Sequence, residues 1–401
     1  MNPDAALLWP RPRWALALFM ACLGMLGPFS IDTYLPAFAG VAQSLGATPV
    51  QMQQTLSGYL FGLALMNLFH GALADSFGRR PVVLGGVALF TLASAGCALS
   101  TSIAALVAFR ALQGLASGAG MVVSRAIIRD MFAPHDAQRV MAQVTIFFGV
   151  APAIAPLIGG FLFVHLGWRS IFWLLVLLGA VLGLTSWRLL PETLPPDAVQ
   201  PFNIRHLLRG YAQMLASPRF LALTLASGVP FNGVFLYVMS APAFLGELLG
   251  LAPTQFFWLF VLTIAGIMGG AGLSGRLAGR VTARRQIRLG FVIMAIGSLI
   301  NLTLNFFAPL QVGWALPVIA LFAFGWSLMT PAVTLMVLDQ VPDRRGMASS
   351  LQACIASVAN GLVAGVLAPL VMHSAMTLAV ASTALMSIGA IAWLWVRQRV
   401  A

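Results

Sequence analysis

Apolar residues along this chain follow neither the two-residue alternation of a half-buried strand nor the one-sided stripe of a soluble helix. They run on for about twenty positions at a time, and each run is bounded by Arg, Pro, Gly or an acidic residue. About twenty apolar residues rising about 1.5 Å each as a helix match the hydrocarbon thickness of a bilayer. Five such runs lie at about 14–38, 54–74, 82–99, 103–128 and 140–164, and a sixth follows the aromatic and basic anchor 167–172 and ends near 190. Six more lie at about 219–239, 254–274, 286–306, 313–337, 347–372 and 376–396. The pattern predicts an all-α polytopic membrane protein of twelve transmembrane helices, and an even count puts both termini on one side. The first run exceeds the apolar core of a signal peptide and no small-residue cleavage site follows it, so it is expected to stay in the mature protein.

The second half echoes the first. Pro36-Ala37-Phe38 recurs as Pro242-Ala243-Phe244, Gly71-Ala72-Leu73-Ala74 as Gly275-Arg276-Leu277-Ala278, and Arg139-Val140-Met141-Ala142 as Arg345-Gly346-Met347-Ala348, at offsets of 206, 204 and 206. Three echoes in order at a nearly constant offset favour duplication of a six-helix unit. The expected organisation is two pseudo-symmetric six-helix bundles, 1–194 and 217–401, joined by a cytoplasmic linker, 195–216.

With 60% hydrophobic and 8% charged residues in 401 positions, no set of soluble domains could cover its surface. The net charge of +12 would suggest a nucleic-acid partner in a soluble chain, but its 22 basic residues are all Arg and are sorted by loop. Sixteen fall on one side of the spans: Arg79, Arg80, Arg125, Arg129, Arg139, Arg188, Arg205, Arg209, Arg219, Arg276, Arg280, Arg284, Arg285, Arg288, Arg344 and Arg345. Arg11, Arg13, Arg397 and Arg399 sit at the termini, Arg169 lies at the opposite face and Arg110 lies inside a run. By the positive-inside rule the termini and the loop around Gly71 are cytoplasmic, and the charge reports topology rather than nucleic acid. Cys22, Cys97 and Cys354 lie within apolar runs and match neither a disulfide framework nor a metal site. No run offers a Ser-His pair, paired carboxylates or a His-rich metal cluster, and no phosphate-cradling loop with its lysine is present, so an enzyme is not expected.

Three places carry candidate chemistry. Asp32 is the one acid well inside a run, where an ionisable group is costly enough to be read as functional. Arg110 in span 4 lies at a similar depth, about 10 Å below the outer surface at about 1.5 Å per residue. Whether Arg110 merely neutralises Asp32 in a structural ion pair or relays its titration leaves the same trace in sequence. The second place is the hairpin from Gly71 to Pro81, where Gly71 and Gly78 permit a tight reversal and Asp75, Arg79 and Arg80, with Asp130 at the inner end of span 4, can form a charge cluster. A solvated topology signal is the plainer reading of the same residues. The third is span 5, where Pro152 and Pro156 fall on one face and predict a kink. His70 is read as a packing residue.

The hairpin Gly71-Ala72-Leu73-Ala74-Asp75-Ser76-Phe77-Gly78-Arg79-Arg80-Pro81 resembles the loop 2–3 signature of the major facilitator superfamily of secondary transporters. Arg110-Ala111-Leu112-Gln113-Gly114 resembles the helix 4 motif of its proton-coupled members, and the face formed by Gly149, Pro152, Pro156, Gly159 and Gly160 resembles its antiporter motif, with Ala155 where Gly is usual. Ile31-Asp32-Thr33-Tyr34-Leu35-Pro36, Arg125-Ala126-Ile127-Ile128-Arg129-Asp130 and Leu190-Pro191-Glu192-Thr193-Leu194 are similar to the bicyclomycin and chloramphenicol resistance branch of drug:proton antiporters. The second half departs from the pattern, with Gly279 in the place of Asp75.

The resemblance implies a multidrug efflux transporter of the bacterial inner membrane, exporting lipophilic small molecules in exchange for protons by alternating access. The proton gradient would be its energy source, with no cofactor. Its partners would be substrate, protons and membrane lipid, and it would act as a monomer. Asp32 and Arg110 would couple protons, and Gly71, Asp75, Gly78, Arg79, Arg80 and Asp130 would gate. Substrate contacts would come from Tyr34, Tyr59, Asn67, Gln113, Phe231, Asn232, Phe235, Tyr237, Trp326, Gln352 and Asn360. Proton-coupled uptake is the nearest alternative. A receptor or scaffold without transport, which would need neither Asp32 nor a bistable gate, is another.

Overall fold

The computed structural model describes residue 9 and residues 12–132, 134–195, 199–341 and 344–398; the side chains of 134, 135, 138, 142, 145, 146, 148–150 and 397 lie outside that description. The terminal arginines Arg11, Arg397 and Arg399, which bear on orientation, therefore fall outside the described residues or side chains. All regular structure among the described residues is helical.

In the first half, α1 (Arg13–Asp32), a 3₁₀ turn (Leu35–Ala37) and α2 (Phe38–Leu45) make up span 1. They are followed by α3 (Pro49–Asn67), α4 (His70–Phe77), α5 (Arg79–Leu99), α6 (Ile103–Met131), α7 (Pro134–Leu166) and α8 (Arg169–Leu189). The second half holds α9 (Ile204–Leu215), α10 (Pro218–Gly228), α11 (Phe231–Met239), α12 (Phe257–Leu277), α13 (Ala283–Phe307) and α14 (Val312–Leu338). It ends with α15 (Arg345–Leu362), a π-helical stretch (Val363–Leu367), α16 (Ala368–Val371) and α17 (Ala375–Gln398).

Among the described residues nine helical segments are long and apolar enough to cross a bilayer. Two more spans are bent pairs, α3 with α4 at 46° and α10 with α11 at 47°, and α7 carries a further apolar stretch over Ala151–Leu166. Together they account for the twelve spans. Where loops meet helices, hydroxyl side chains take the first free amides. Thr48 accepts from Gln51 N and the Gln51 side chain accepts from Thr48 N, a reciprocal cap, while Ser102, Ser217 and Thr282 cap α6, α10 and α13.

The chain divides into two compact units, 1–204 and 205–401. Within each, the same spans pack: α3 on α6 in the first is matched by α12 on α14 in the second, α5 on α6 by α13 on α14, and α5 on α8 by α13 on α17. Gly62 and Gly266, 204 positions apart, take equivalent places. A Cβ on Gly62 would collide with the carbonyl of Ala111, and one on Gly266 with that of Ala320. Close backbone approach through small residues is how helices gain contact where lipid supplies no hydrophobic drive.

Several expectations change in detail. Spans 2 and 7, read as single helices, are each broken in two, at 68–69 and at Val229-Pro230. Pro230 explains the second, since its ring excludes a helical bond to the preceding turn. Span 1 extends to Leu45 rather than Phe38 and is interrupted just after Asp32. In span 5, α7 runs through both Pro152 and Pro156, in contact with α1 and α8. The stretch read as a linker contains α9, whose Leu207, Gly210, Tyr211 and Met214 form a buried face at helical spacing against α15, with Gly210 in contact with Met347.

Candidate functional site

The most unusual side chain in the first unit is Arg110, a fully buried arginine about two turns into α6. Positions i, i+3 and i+4 share a helix face, so Arg110, Gln113 and Gly114 lie together, with Arg110 and Gly114 against Tyr59 of α3. Gly114 is required there by space, because a Cβ would sit inside the backbone carbonyl of Tyr59. That approach brings the Tyr59 ring to 4.4 Å from the Arg110 guanidinium carbon, with the Tyr34 ring at 5.1 Å. A desolvated cation–π contact contributes about 2 kcal/mol.

Polar contacts hold the cage. Arg110 Nη1 donates to Gln113 Oε1 and, at 3.4 Å, to the Ser30 carbonyl. Gln113 Nε2 donates to Ser94 Oγ at 2.7 Å, tying in α5. The Tyr59 hydroxyl donates to the Gly27 carbonyl at 3.1 Å and lies 3.1 Å from Ser30 Oγ, while Thr55 Oγ1 donates to the Tyr34 hydroxyl at 3.2 Å. Arg110 Nε and Nη2 have no hydrogen-bond partner among the described residues.

Asp32 closes α1 and is 7% exposed. No ion pair joins it to Arg110 among the described residues. Behind the turn that follows Asp32 lies α7. A Cβ on Gly159 would collide with the Thr33 carbonyl, so this glycine lets α7 rest directly on the Asp32–Tyr34 turn. Pro156 and Gly160 are buried beside it and Pro152 is half-buried. Gly149 belongs to α7 but lies outside the described side chains.

The hairpin assembles the cluster read from sequence, with one difference. Arg79 Nη1 bonds Asp75 Oδ1, and Arg79 Nε donates to Asp130 Oδ2 at 3.0 Å. Side-chain exposure is 8% for Arg79, 20% for Asp130 and 47% for Asp75, so the Asp130 arm is the more protected. Thr193 Oγ1, unremarked as a site residue in sequence, also donates to Asp130 Oδ2, at 3.2 Å. Arg80 turns away and donates to the Trp187 carbonyl at 2.6 Å. Gly78 starts α5 at φ +98°, a left-handed conformation that favours glycine. Gly71, half-buried, is the second residue of α4.

In the second unit Phe231, Phe235 and Trp326 form a half-buried aromatic cluster, with Phe231 ring centroids 5.7 Å from Phe235 and 4.7 Å from Trp326. Trp326 Nε1 donates to the Ser227 carbonyl at 3.0 Å and Gln352 Nε2 to Ser227 Oγ at 3.1 Å, so Ser227, missed in sequence, fixes both. Asn360 is half-buried, and its Oδ1 has no partner among the described residues. Asn232 and Tyr237 are buried instead. Asn232 Nδ2 donates to the Gly228 carbonyl at 3.3 Å, and the Tyr237 hydroxyl accepts from Asn301 Nδ2 at 2.8 Å. In the first unit Tyr34, Tyr59, Gln113 and Asn67 are likewise buried. The residues read from sequence as substrate contacts thus divide into a half-buried group in the second unit, Phe231, Phe235, Trp326, Gln352 and Asn360, and a buried set, Tyr34, Tyr59, Asn67, Gln113, Asn232 and Tyr237.

The sequence profile of the Major Facilitator Superfamily matches residues 16–364. Among curated proteins the chain is similar to "Uncharacterized MFS-type transporter YdgK" of Bacillus subtilis (strain 168), 32% identical over 88% of each chain. It is similar also to "Bicyclomycin resistance protein homolog" of Haemophilus influenzae, 27% identical over 97% of this chain and 98% of that one. "Multidrug resistance protein D" of Escherichia coli (strain K12) is 28% identical over 88% of this chain and 89% of its own. Among solved structures, a D-xylose–proton symporter aligns with a TM-score of 0.74 over 95% of this chain and 97% of its own at 15% identity. A bacterial homolog of the human lysosomal transporter Spinster aligns with a TM-score of 0.72 over 97% and 98% at 17% identity. At such identities these two speak for the fold.

Proposed function

Because the chain belongs to the Major Facilitator Superfamily, and so is a multi-pass membrane transporter of small molecules rather than an enzyme, we propose that it exports lipophilic drug-like compounds in exchange for protons. The observation that carries the proposal is the pairing of an ionisable Asp32, unpaired with Arg110 and set on a turn that α7 supports through Gly159, with a buried guanidinium that keeps two donors free. A buried charge without a counter-ion is costly. Arg110 Nε and Nη2 therefore offer a place for an acceptor that comes and goes, and Asp32 is the acid at similar depth.

The coupling follows from linkage. A cationic substrate favours the ionised Asp32, and a proton arriving from the outer side favours release of that substrate, so the two ligands compete through one carboxylate. Exchange requires no direct contact between proton and drug. Phe231, Phe235, Trp326 and Gln352 offer the second unit's aromatic face for substrate, and the Asp75–Arg79–Asp130 cluster serves as the cytoplasmic gate. Both termini face the cytoplasm of a bacterial inner membrane, the working unit is a monomer in lipid, and the proton gradient alone drives it. The names of the relatives, resistance proteins rather than uptake systems, support export over proton-coupled uptake.

Purified protein in liposomes with an imposed pH gradient, tested against a panel of labelled drugs, separates antiport from uptake and from no transport. Cationic-substrate affinity should fall as pH drops through the folded-state pKa of Asp32, because the protonated acid no longer favours the cation. Asp32→Asn should remove most of that dependence and abolish transport against a gradient. An equally steep profile in the variant, measured from about pH 5 to about pH 9, would place the proton on another residue.

A further inference from the structure

The short segment after α8 does something that the gate cluster alone does not explain. At its centre Glu192 spends both carboxylate oxygens on backbone amides. Oε1 accepts from Arg79 N, Thr193 N and Leu194 N, each at 2.9 Å, and Oε2 accepts from Arg80 N at 3.1 Å. Arg79 and Arg80 are the first two residues of α5, whose preceding residue Gly78 supplies no side-chain cap and whose first turn contains no acid. The free amides and positive end of a helix favour an anion, and two arginines in the first turn are the wrong charge for that position. Glu192 provides the missing cap from more than a hundred residues away in sequence.

The fit is specific. A Cβ on Gly78 would come within 2.5 Å of Glu192 Oε2 and 3.0 Å of its Cδ, so the carboxylate occupies the place a side chain at 78 would take. On one side of it Thr193 Oγ1 reaches Asp130 Oδ2, the same oxygen that accepts Arg79 Nε. On the other side Arg80 Nη2 holds the Trp187 carbonyl in the last turn of α8. The end of α8, the start of α5 and the inner end of α6 are thus joined through one five-residue segment.

We propose that Glu192 is the positioning residue of the cytoplasmic gate: it clasps the start of α5 so that the Arg79 guanidinium meets Asp75 and Asp130 together. The proposal rests on the gate reading given above. Glu192 touches neither proton nor substrate. It fixes the backbone from which Arg79 projects, and Thr193 fixes the carboxylate that Arg79 must meet.

The test uses the full chain in liposomes, with Cys22, Cys97 and Cys354 replaced and Ser76→Cys introduced within the hairpin. The rate at which a membrane-impermeant maleimide alkylates that cysteine reports how often the hairpin opens, and no transport substrate is needed. Asp130→Asn should raise the rate if the gate reading holds; an unchanged rate in Asp130→Asn and Asp75→Asn would sink that reading itself. Glu192→Gln, which replaces one acceptor oxygen by a donor facing the Arg80 amide, should raise the rate on the order of tenfold. The double variant Glu192→Gln/Asp130→Asn should go no further than the larger single, because both act on one arginine. Glu192→Asp, retaining charge, should fall between wild type and Glu192→Gln. A plain helix cap would instead lower the melting temperature in Glu192→Gln while alkylation stays at the wild-type rate, or would add fully to Asp130→Asn, and either result overturns the proposal. Should Glu192→Gln fail to give folded protein, Thr193→Val removes only the bond to Asp130 and should raise alkylation in the same direction; no change there refutes the clasp.

Discussion

The two acids that hold Arg79 are not equivalent, and their difference gives a quantitative expectation. Asp75 is 47% exposed and lies one turn before Arg79 in sequence, so its ion pair is of the surface i,i+4 kind, contributing about 0.3–0.5 kcal/mol. Asp130 is 20% exposed and accepts from both Arg79 Nε at 3.0 Å and Thr193 Oγ1 at 3.2 Å. A protected hydrogen bond to a charged group contributes about 1.5–3 kcal/mol, and because asparagine keeps an acceptor oxygen the lower end applies. At about 1.4 kcal/mol per factor of ten, Asp130→Asn should shift the conformer equilibrium roughly tenfold and Asp75→Asn about twofold. Turnover is expected to slow in the same order, since the cycle then waits on a state that is less populated. The assay is substrate counterflow in proteoliposomes at equal protein abundance, with binding of the labelled substrate in detergent as the control that should change little. An Asp75→Asn defect equal to or larger than that of Asp130→Asn would refute the reasoning from exposure, and wild-type rates in both would return the hairpin to a topology signal.

Three further outcomes are expected. Gly114→Ala should lower the melting temperature in detergent by an amount corresponding to about 1–3 kcal/mol and weaken transport, because its Cβ would displace the Tyr59 backbone from Arg110, whereas Gly85→Ala, with open space at its Cβ, should stay within about 1 kcal/mol of wild type. In a background lacking the three native cysteines, Ser44→Cys near Gly46 should react with an impermeant thiol reagent from outside intact cells and Ser76→Cys should not, the reverse pattern overturning the orientation. Phe235→Ala, at the half-buried aromatic face of the second unit, should weaken binding of an aromatic substrate by about 1 kcal/mol, roughly fivefold, with little change in melting temperature; unchanged affinity would remove that face from the substrate site.

Much of the architecture is legible in the sequence because the bilayer leaves few choices. A run of about twenty apolar residues can only be a helix that satisfies its own backbone, so composition and run length alone specify the twelve spans. Residues that are costly in lipid announce themselves for the same reason, and Asp32 and Arg110 stand out without any structure. The interior arrangement is less legible. Nothing in the spacing of Tyr34, Tyr59 and Arg110 says that two rings flank one guanidinium, because that depends on how deeply Gly114 lets α3 approach α6. Glu192 illustrates the limit from another side: Pro191-Glu192-Thr193-Leu194 is visible as a motif, but a carboxylate that caps a helix more than a hundred residues away carries no local signal of its partner.

The internal duplication separates what packing preserves from what charge does not. Gly62 and Gly266 make the same close approach, and the same pairs of spans pack within each unit, so the scaffold is repeated. At the place of Asp75 the second unit has Gly279, at φ +75°, with no side chain to hold an arginine. The Arg–Asp pair described in the second unit lies elsewhere, between α14 and α15: Arg345 Nη2 to Asp339 Oδ1 at 3.1 Å leaves both side chains more than half exposed, in the range where a pair contributes about 0–1 kcal/mol. Among the described residues a tight, partly buried arginine clamp is therefore built in one unit and not in its repeat. If one cluster is enough to bias the cytoplasmic side, selection on the second copy acts only on its helix packing, and its loop charges are free to serve orientation in the membrane.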